Sequence, residues 1–241
     1  MASIVADRIR IEYPILDSMN RSIKRRFVSA ATGGLVARDA RDHVVVTALN
    51  DVSLTISQGE RVALVGHNGS GKSTLLRSIA GVYRPLAGEL RVQGSISTLF
   101  DISTGFDLEA TGYENIVLRG LVMGMTRAQV AKRMSEIREF SGLGDYLELP
   151  IRTYSSGMVL RLAFAVATSV QRDIVLMDEW LAVGDAEFSA RAEDRLHDHL
   201  ARTSILVLAT HSEELVRKVC NRRIELKQGR VVSDERIGEP Q

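Results

Sequence analysis

The sequence predicts an α/β fold organised around a parallel sheet, and three observations predict it. The apolar run Arg61-Val62-Ala63-Leu64-Val65 leads into Gly66-His67-Asn68-Gly69-Ser70-Gly71-Lys72-Ser73-Thr74 and then into Leu75-Leu76-Arg77-Ser78-Ile79-Ala80, an order that reads as strand, glycine-rich loop, helix. A second apolar run, Ile174-Val175-Leu176-Met177, ends in the adjacent acids Asp178 and Glu179. Apolar strands over 173–177 and 204–209 flank a helical pattern over 187–201, the β–α–β order of a parallel sheet.

The glycine-rich loop fits G-x-x-x-x-G-K-[ST], the P-loop pattern. Glycines let successive backbone N–H groups curl toward one point and form an anion nest. The helix beginning at the loop adds its positive end. Lys72 has the reach for β- and γ-phosphates, and Ser73 offers a hydroxyl to Mg²⁺. The bland alternative, a flexible glycine turn, does not account for the lysine and hydroxyl at these positions in a strand–helix context. The sequence thus predicts ATP or another nucleoside triphosphate as ligand, with Mg²⁺. The strand ending in Asp178-Glu179 fits the same chemistry. One acid at a strand end can hold the metal, and the next is placed to act as a general base for water.

Composition sets the outer limits. The chain has 241 residues, 45% of them apolar and 25% charged, an ordinary globular balance. A net charge of +1 gives no electrostatic case for a nucleic-acid partner. The single cysteine, Cys220, excludes an internal disulfide and a cysteine metal cluster, and suits a reducing compartment. The first residues carry no signal-peptide apolar region. No apolar run reaches the roughly 18 residues of a membrane span, so a membrane role is expected to come through a partner.

In chain order, residues 3–13 alternate through Ile9, Ile11 and Tyr13 and predict a strand that Pro14 ends. Residues 16–43 read as a short basic helix (Arg21, Lys24, Arg25, Arg26) followed by a loop through Gly33-Gly34. That basic segment is either a solvated face or a contact for anionic lipid headgroups or a membrane partner. Residues 44–57 read as two strands with a turn at Asn50-Asp51. After the P-loop helix, which is expected to end near Gly81, Pro85 and Gly88 mark turns, and short strands follow around Gly94. Residues 112–149 carry helical periodicity, with Thr126 and Gln129 in a capping-box pattern. Residues 158–170 predict a helix apolar nearly all round, hence buried. A helix over 213–220 and a strand pair around Gln228-Gly229 complete the chain.

With these motifs in place, the chain resembles the ATP-binding cassette (ABC) nucleotide-binding subunits along nearly its whole length. Tyr154-Ser155-Ser156-Gly157-Met158 stands where that superfamily carries its LSGGQ-type signature. Asp185 matches the D-loop aspartate, and His211, in Ala209-Thr210-His211-Ser212, the switch histidine. The variants Tyr-Ser-Ser-Gly-Met, Asp178-Glu179-Trp180-Leu181-Ala182-Val183-Gly184-Asp185 and Gly105-Phe106…Thr111-Gly112-Tyr113-Glu114-Asn115-Ile116 resemble the subfamily that exports O-antigen, capsular and teichoic acid polysaccharides.

The resemblance implies an ABC ATPase fold. This is a P-loop NTPase (RecA-like) core over 44–104 and 158–241, with an antiparallel β-subdomain, a helical subdomain over 105–157 and an N-terminal strand and extension over 1–43. All of it would form a single domain. The resemblance also implies a head-to-tail homodimer that sandwiches ATP, bound to an integral membrane permease at the cytoplasmic face of a bacterial inner membrane. In that arrangement Gly66 to Thr74 cradle the phosphates, Ser73 and Asp178 hold Mg²⁺, Glu179 polarises the attacking water, and His211 senses the γ-phosphate. Ser155, Ser156, Gly157 and Met158 meet ATP across the dimer. Tyr13 is expected to stack on adenine, with Phe27 as the alternative. The helical insert, with Met123 and Met125 nearby, docks the permease, although methionines also fill cores.

Three departures mark the chain within the superfamily. No glutamine lies between Gln93 and Gln129, so Asp101 or its neighbourhood stands for the usual Q-loop residue. Ser156 and Met158 replace the first signature glycine and the terminal glutamine. The sequence ends at Gln241, so the C-terminal carbohydrate-binding domain of some relatives is not expected within it.

Overall fold

The computed structural model of the chain describes residues 1–15, 36–38, 44–179 and 186–238. In chain order the elements are β1 (Ser3–Ile15), β2 (Val36–Arg38), β3 (Val44–Ser57), β4 (Arg61–Val65), α1 (Lys72–Ile79), β5 (Ala87–Gln93), β6 (Ile96–Thr98), α2 (Gly112–Val122), α3 (Arg127–Ser141), α4 (Ser156–Ala167), β7 (Ile174–Asp178), α5 (Ala186–Ala201), β8 (Ile205–Ala209), α6 (Glu213–Val219), β9 (Arg222–Lys227) and β10 (Arg230–Arg236). The chain divides into two units, Met1–Gly94 with Ser204–Gln241, and Ser95–Thr203.

The first unit contains two sheets. One is antiparallel, in the order β2-β3-β1-β5. In the other, β4 pairs in parallel with both β8 and β9, and β10 closes the run antiparallel to β9. Residues Val62 to Val65 and Ile205 to Ala209 are buried without interruption, as expected of parallel strands covered on both faces.

The long strand β1 changes its buried phase partway along. Ala2, Ile4 and Ala6 are buried, then Ile9 and Ile11. The register slips between Ala6 and Ile9, where Arg8 adopts φ 47°, so an extra residue on β1 shifts the buried positions from even to odd numbers while keeping them on one face. On β3 the slip runs the other way. Val45, Thr47 and Leu49 are buried, then Val52, Leu54 and Ile56, with Asp51 at φ 61° between them. The Asn50-Asp51 turn of the sequence reading is therefore a bulge inside one 14-residue strand. Asn and Asp tolerate the left-handed backbone that either structure needs, which is why the residues alone suggested a turn.

Two more boundaries differ from the sequence reading. Pro14 does not end β1, which continues with Pro14 opposite Val45 and Ile15 opposite Val44. Pairing with β5 stops at Arg10, so among the described residues this end of β1 has an edge on that side, where proline is tolerated. Val36–Arg38, read as loop, is a short strand on the rim of the sheet. The basic residues Arg21 to Arg26, and Phe27, lie outside the described residues.

The second unit is mainly helical and contains the parallel pair β6–β7. Its core gathers Ile116, Val130, Ile137, Leu147, Leu162 and Val166 from four helical segments. Met125 is 7% exposed within this core, and Met123 packs against it. Met125 is thus a core residue and not part of an exposed docking face. Thr126 accepts from the Gln129 N–H and Gln129 reaches back, the capping box expected. Helix α4 begins two residues earlier than its apolar pattern, because Ser155 supplies the N-cap.

Candidate functional site

Strand β4 ends at Val65 and delivers the chain into the P-loop. Gly66 has φ 143°, and a Cβ there would sit 2.2 Å from the Leu226 carbonyl oxygen. Only glycine fits that close approach. The loop is held from behind by backbone. The Gly229 N–H donates to the Ser70 carbonyl (2.9 Å), and the Asn50 N–H donates to the Gly229 carbonyl (2.8 Å). The β9–β10 turn therefore bridges the bulged strand β3 and the loop.

Helix α1 starts at Lys72 with Gly71 as N-cap, which has no side chain to satisfy the first-turn N–H groups, and no acid lies in that turn. Those donors and the helix dipole suit an anion. The Lys72 ammonium turns back into the loop. It donates to the carbonyls of Gly66 (2.8 Å) and His67 (3.3 Å) and contacts His211 Nε2 at 3.2 Å. His211 follows β8 directly, and the Thr210 N–H donates to the Leu64 carbonyl of β4 (3.2 Å), which places the histidine beside the loop. This uncapped helix start, with an ammonium in the loop, fits a polyphosphate. Ser73, in the first turn of α1, supplies the hard oxygen that Mg²⁺ prefers.

Tyr13 is half-buried near the end of β1. Its hydroxyl is in hydrogen-bond contact with the side chains of Thr74 and Tyr83, and burial holds its pKa above the ordinary phenol value. Its ring meets that of Tyr83 edge-on, with centroids 5.0 Å apart and planes at 70°. The P-loop, Tyr13 and His211 are thus brought together in one unit. Tyr83 was not singled out in the sequence. It falls in a turn with no periodicity, and only the fold brings it to β1.

In the second unit, β7 is buried through Met177 and emerges at Asp178. Glu179 has φ 70°. A non-glycine residue held there costs about 1–3 kcal/mol, and such strain concentrates at functional sites. Asp185 and the segment from Trp180 lie outside the described residues. Asp101 is exposed, at φ 52°, with its carbonyl accepting from the Thr104 N–H in a tight turn.

The segment Ser155–Met158 forms the start of α4. The Ser155 hydroxyl accepts from the Met158 N–H (3.2 Å), and Ser155 and Ser156 are exposed. As in α1, no acid lies in the first turn. In α2 and α6, by contrast, Glu114 and the Glu213–Glu214 pair occupy that place. The acid-free starts of α1 and α4, a feature shared with α3, leave the dipole open to an outside anion.

The strand–loop–helix geometry and the lysine turned into the loop define a P-loop nucleotide-binding domain. A sequence profile described as "ABC transporter" matches residues 49–182. The chain is 42% identical over 234 residues to the O-antigen export system ATP-binding protein RfbE of Yersinia enterocolitica, covering 97% of this chain and 98% of that protein. It is 46% identical over 203 residues to RfbB of Myxococcus xanthus, of the same description, covering 84% of this chain and 46% of the longer relative. It is 42% identical over 184 residues to the teichoic acids export ATP-binding protein TagH of Listeria monocytogenes, covering 76% of this chain and 55% of that one. Among solved structures, a dimeric ATP-binding cassette in a post-hydrolysis state bound to ADP and Pi matches with TM-score 0.70 at 21% identity, covering 98% of this chain and 99% of that one. The chain belongs to the ABC transporter ATP-binding family and has the ABC ATPase fold.

Proposed function

We propose that the chain is the ATP-hydrolysing subunit of an exporter that moves a lipid-linked polysaccharide, of O-antigen, capsule or teichoic acid type, across the cytoplasmic membrane. The observation that carries this reading is the 42% identity to an O-antigen export ATP-binding protein over nearly the full length of both chains. Among the described residues no helix is long and apolar enough to cross a membrane. An integral membrane permease would supply the pathway, with the helical region over 105–157 docking it. The residues 1–241 would act as one ATPase domain. Two copies would work head to tail on the cytoplasmic face of a bacterial membrane.

In this reading the loop from Gly66 to Thr74 and the start of α1 bind the triphosphate, and Tyr13 carries the adenine. Ser73 and Asp178 would hold Mg²⁺, which would supply charge neutralisation on the phosphates. Glu179 takes the proton of the attacking water. His211 exchanges its contact with Lys72 for the γ-phosphate and so registers its loss. Ser155, Ser156, Gly157 and Met158 present the start of α4 to the ATP of the partner copy, and Asp185 lies at the same interface. Asp101 or its neighbourhood stands in the place of the Q-loop glutamine, beside the γ-phosphate. The γ-phosphate then favours the closed pair over the open one, which is the differential affinity a switch requires.

The test is Glu179→Gln. Turnover is expected to fall about a hundredfold or more, the weight of a general base, while ATP affinity stays within about twofold. In the producing cells one surface polysaccharide should disappear and its lipid-linked form accumulate inside. Unchanged surface glycans with a hydrolysis-dead, expressed variant would remove the polysaccharide assignment. Steady-state hydrolysis at the normal rate would remove the role of Glu179.

A further inference from the structure

Among the described residues, the part of β1 that bears Tyr13 pairs with a strand on one side only. Pairing with β5 ends at Arg10 opposite Ala87, whereas pairing with β3 continues through Tyr13 opposite Val46. A ring that offers its face to a base needs a fixed plane, and among the described residues no strand on the β5 side reaches far enough to hold it. Tyr83 stands in that place.

The turn bearing Tyr83 is anchored at both ends. On the P-loop side, the Gly81 N–H donates to the Ser78 carbonyl and the Val82 N–H to the Arg77 carbonyl (both 2.9 Å), closing the C-terminus of α1. On the other side, the Leu86 N–H donates to the Arg10 carbonyl of β1 (2.7 Å). The five residues between Gly81 and β5 therefore form a strut from the P-loop helix to the strand of Tyr13. In its middle the Tyr83 ring meets the Tyr13 ring at 5.0 Å and 70°, a favoured edge-to-face geometry. The Tyr13 hydroxyl is in contact with Thr74, on α1, and with Tyr83. The ring is thus held by two groups that both move with the phosphate-binding helix.

We propose that Tyr83 is a positioning residue for nucleotide recognition, holding the Tyr13 ring at a fixed distance and angle from the P-loop so that base and triphosphate are gripped in register. The proposal rests on the reading of Tyr13 as the adenine platform. Tyr83 acts through Tyr13 and not on the phosphates, so its loss should be felt by ATP and not by a ligand without a base.

The experiment measures the affinity of the full chain for ATP and for inorganic tripolyphosphate by titration calorimetry, in the unaltered protein and in Tyr83→Ala, Tyr83→Phe, Tyr13→Ala and the double alanine variant. Tyr83→Ala should weaken ATP about two- to tenfold, the size of one edge-to-face contact, and leave tripolyphosphate unchanged. Retained tripolyphosphate binding also shows that the loop is folded. Tyr83→Phe keeps the ring and should restore most of the ATP affinity. In the Tyr13→Ala background, removing Tyr83 should cost nothing further. Parallel losses for ATP and tripolyphosphate would overturn the proposal in favour of general packing, and additive losses in favour of direct contact with the base. A loss with Tyr13→Ala alone would overturn the role of Tyr83 and leave Tyr13 standing. No loss in any variant would overturn the adenine platform itself and, with it, this inference.

Discussion

Lys72 and His211 meet at 3.2 Å through a contact in which the ammonium donates and the imidazole accepts. That polarity requires the tautomer with its proton on Nδ1. Removing the imidazole leaves the lysine its two loop carbonyls, so His211→Ala should bind ATP nearly as well. Its phosphate release should fall about ten- to a hundredfold, as for one lost charge-assisted hydrogen bond. Calorimetry alongside a steady-state assay separates the two quantities. Cys220 offers a different residue-scale test. The thiol is 1% exposed, and burial pushes its pKa up to about 12. The folded chain keeps the proton that the unfolded chain loses above about pH 8.5, so this group lowers stability as pH rises from there toward 12. A thiol reagent should therefore label Cys220 only as fast as the chain opens, and urea should accelerate labelling in step with loss of helical signal. The P-loop residues were legible because phosphate binding dictates residue types at fixed spacings. Tyr83 and Leu226 were not, since one acts through a ring contact and the other through a backbone oxygen, and neither leaves a pattern.

Among the elements, capping shows where local chemistry settled a boundary and where it was overlooked. Thr126 and Gln129 were readable as a capping box, and Thr111 with Glu114 forms a second at the start of α2 by the same signal. Thr111→Ala removes the hydroxyl that accepts from the Glu114 N–H, leaving the backbone N–H of residue 111 to donate to the Glu114 carboxylate, and should cost about 1 kcal/mol. For a chain of this size that is a fall of about 2–4 °C in the thermal midpoint, measurable by circular dichroism. The bulges of β1 and β3 were illegible for a converse reason. A local pattern of alternation cannot tell a turn from an extra residue, because the choice depends on what the partner strand does opposite. Here Ile9 faces Val52 and Ile11 faces Leu49 across the slip. Long-range pairing, not propensity, keeps the strand whole.

At the scale of the whole molecule, the family and the α/β class followed from motif order, whereas the division into units and the strand order required coordinates. The proposed function predicts a nucleotide-dependent change of assembly. With Mg²⁺ and ATP, Glu179→Gln should double its mass in light scattering, and ADP should leave it monomeric. A monomer in both would remove the sandwich and the trans role of Ser155 to Met158. The turn at Gly229 carries a last consequence. It backs the loop at Ser70, and a Cβ there would press to 2.6 Å on the Ala48 carbonyl. The ribosome releases the loop at Ser70 long before this brace at Gly229. Contacts so distant along the chain close late. A nascent chain therefore carries its phosphate loop unbacked until the β9–β10 hairpin has emerged, and the brace behind the loop arrives with that hairpin.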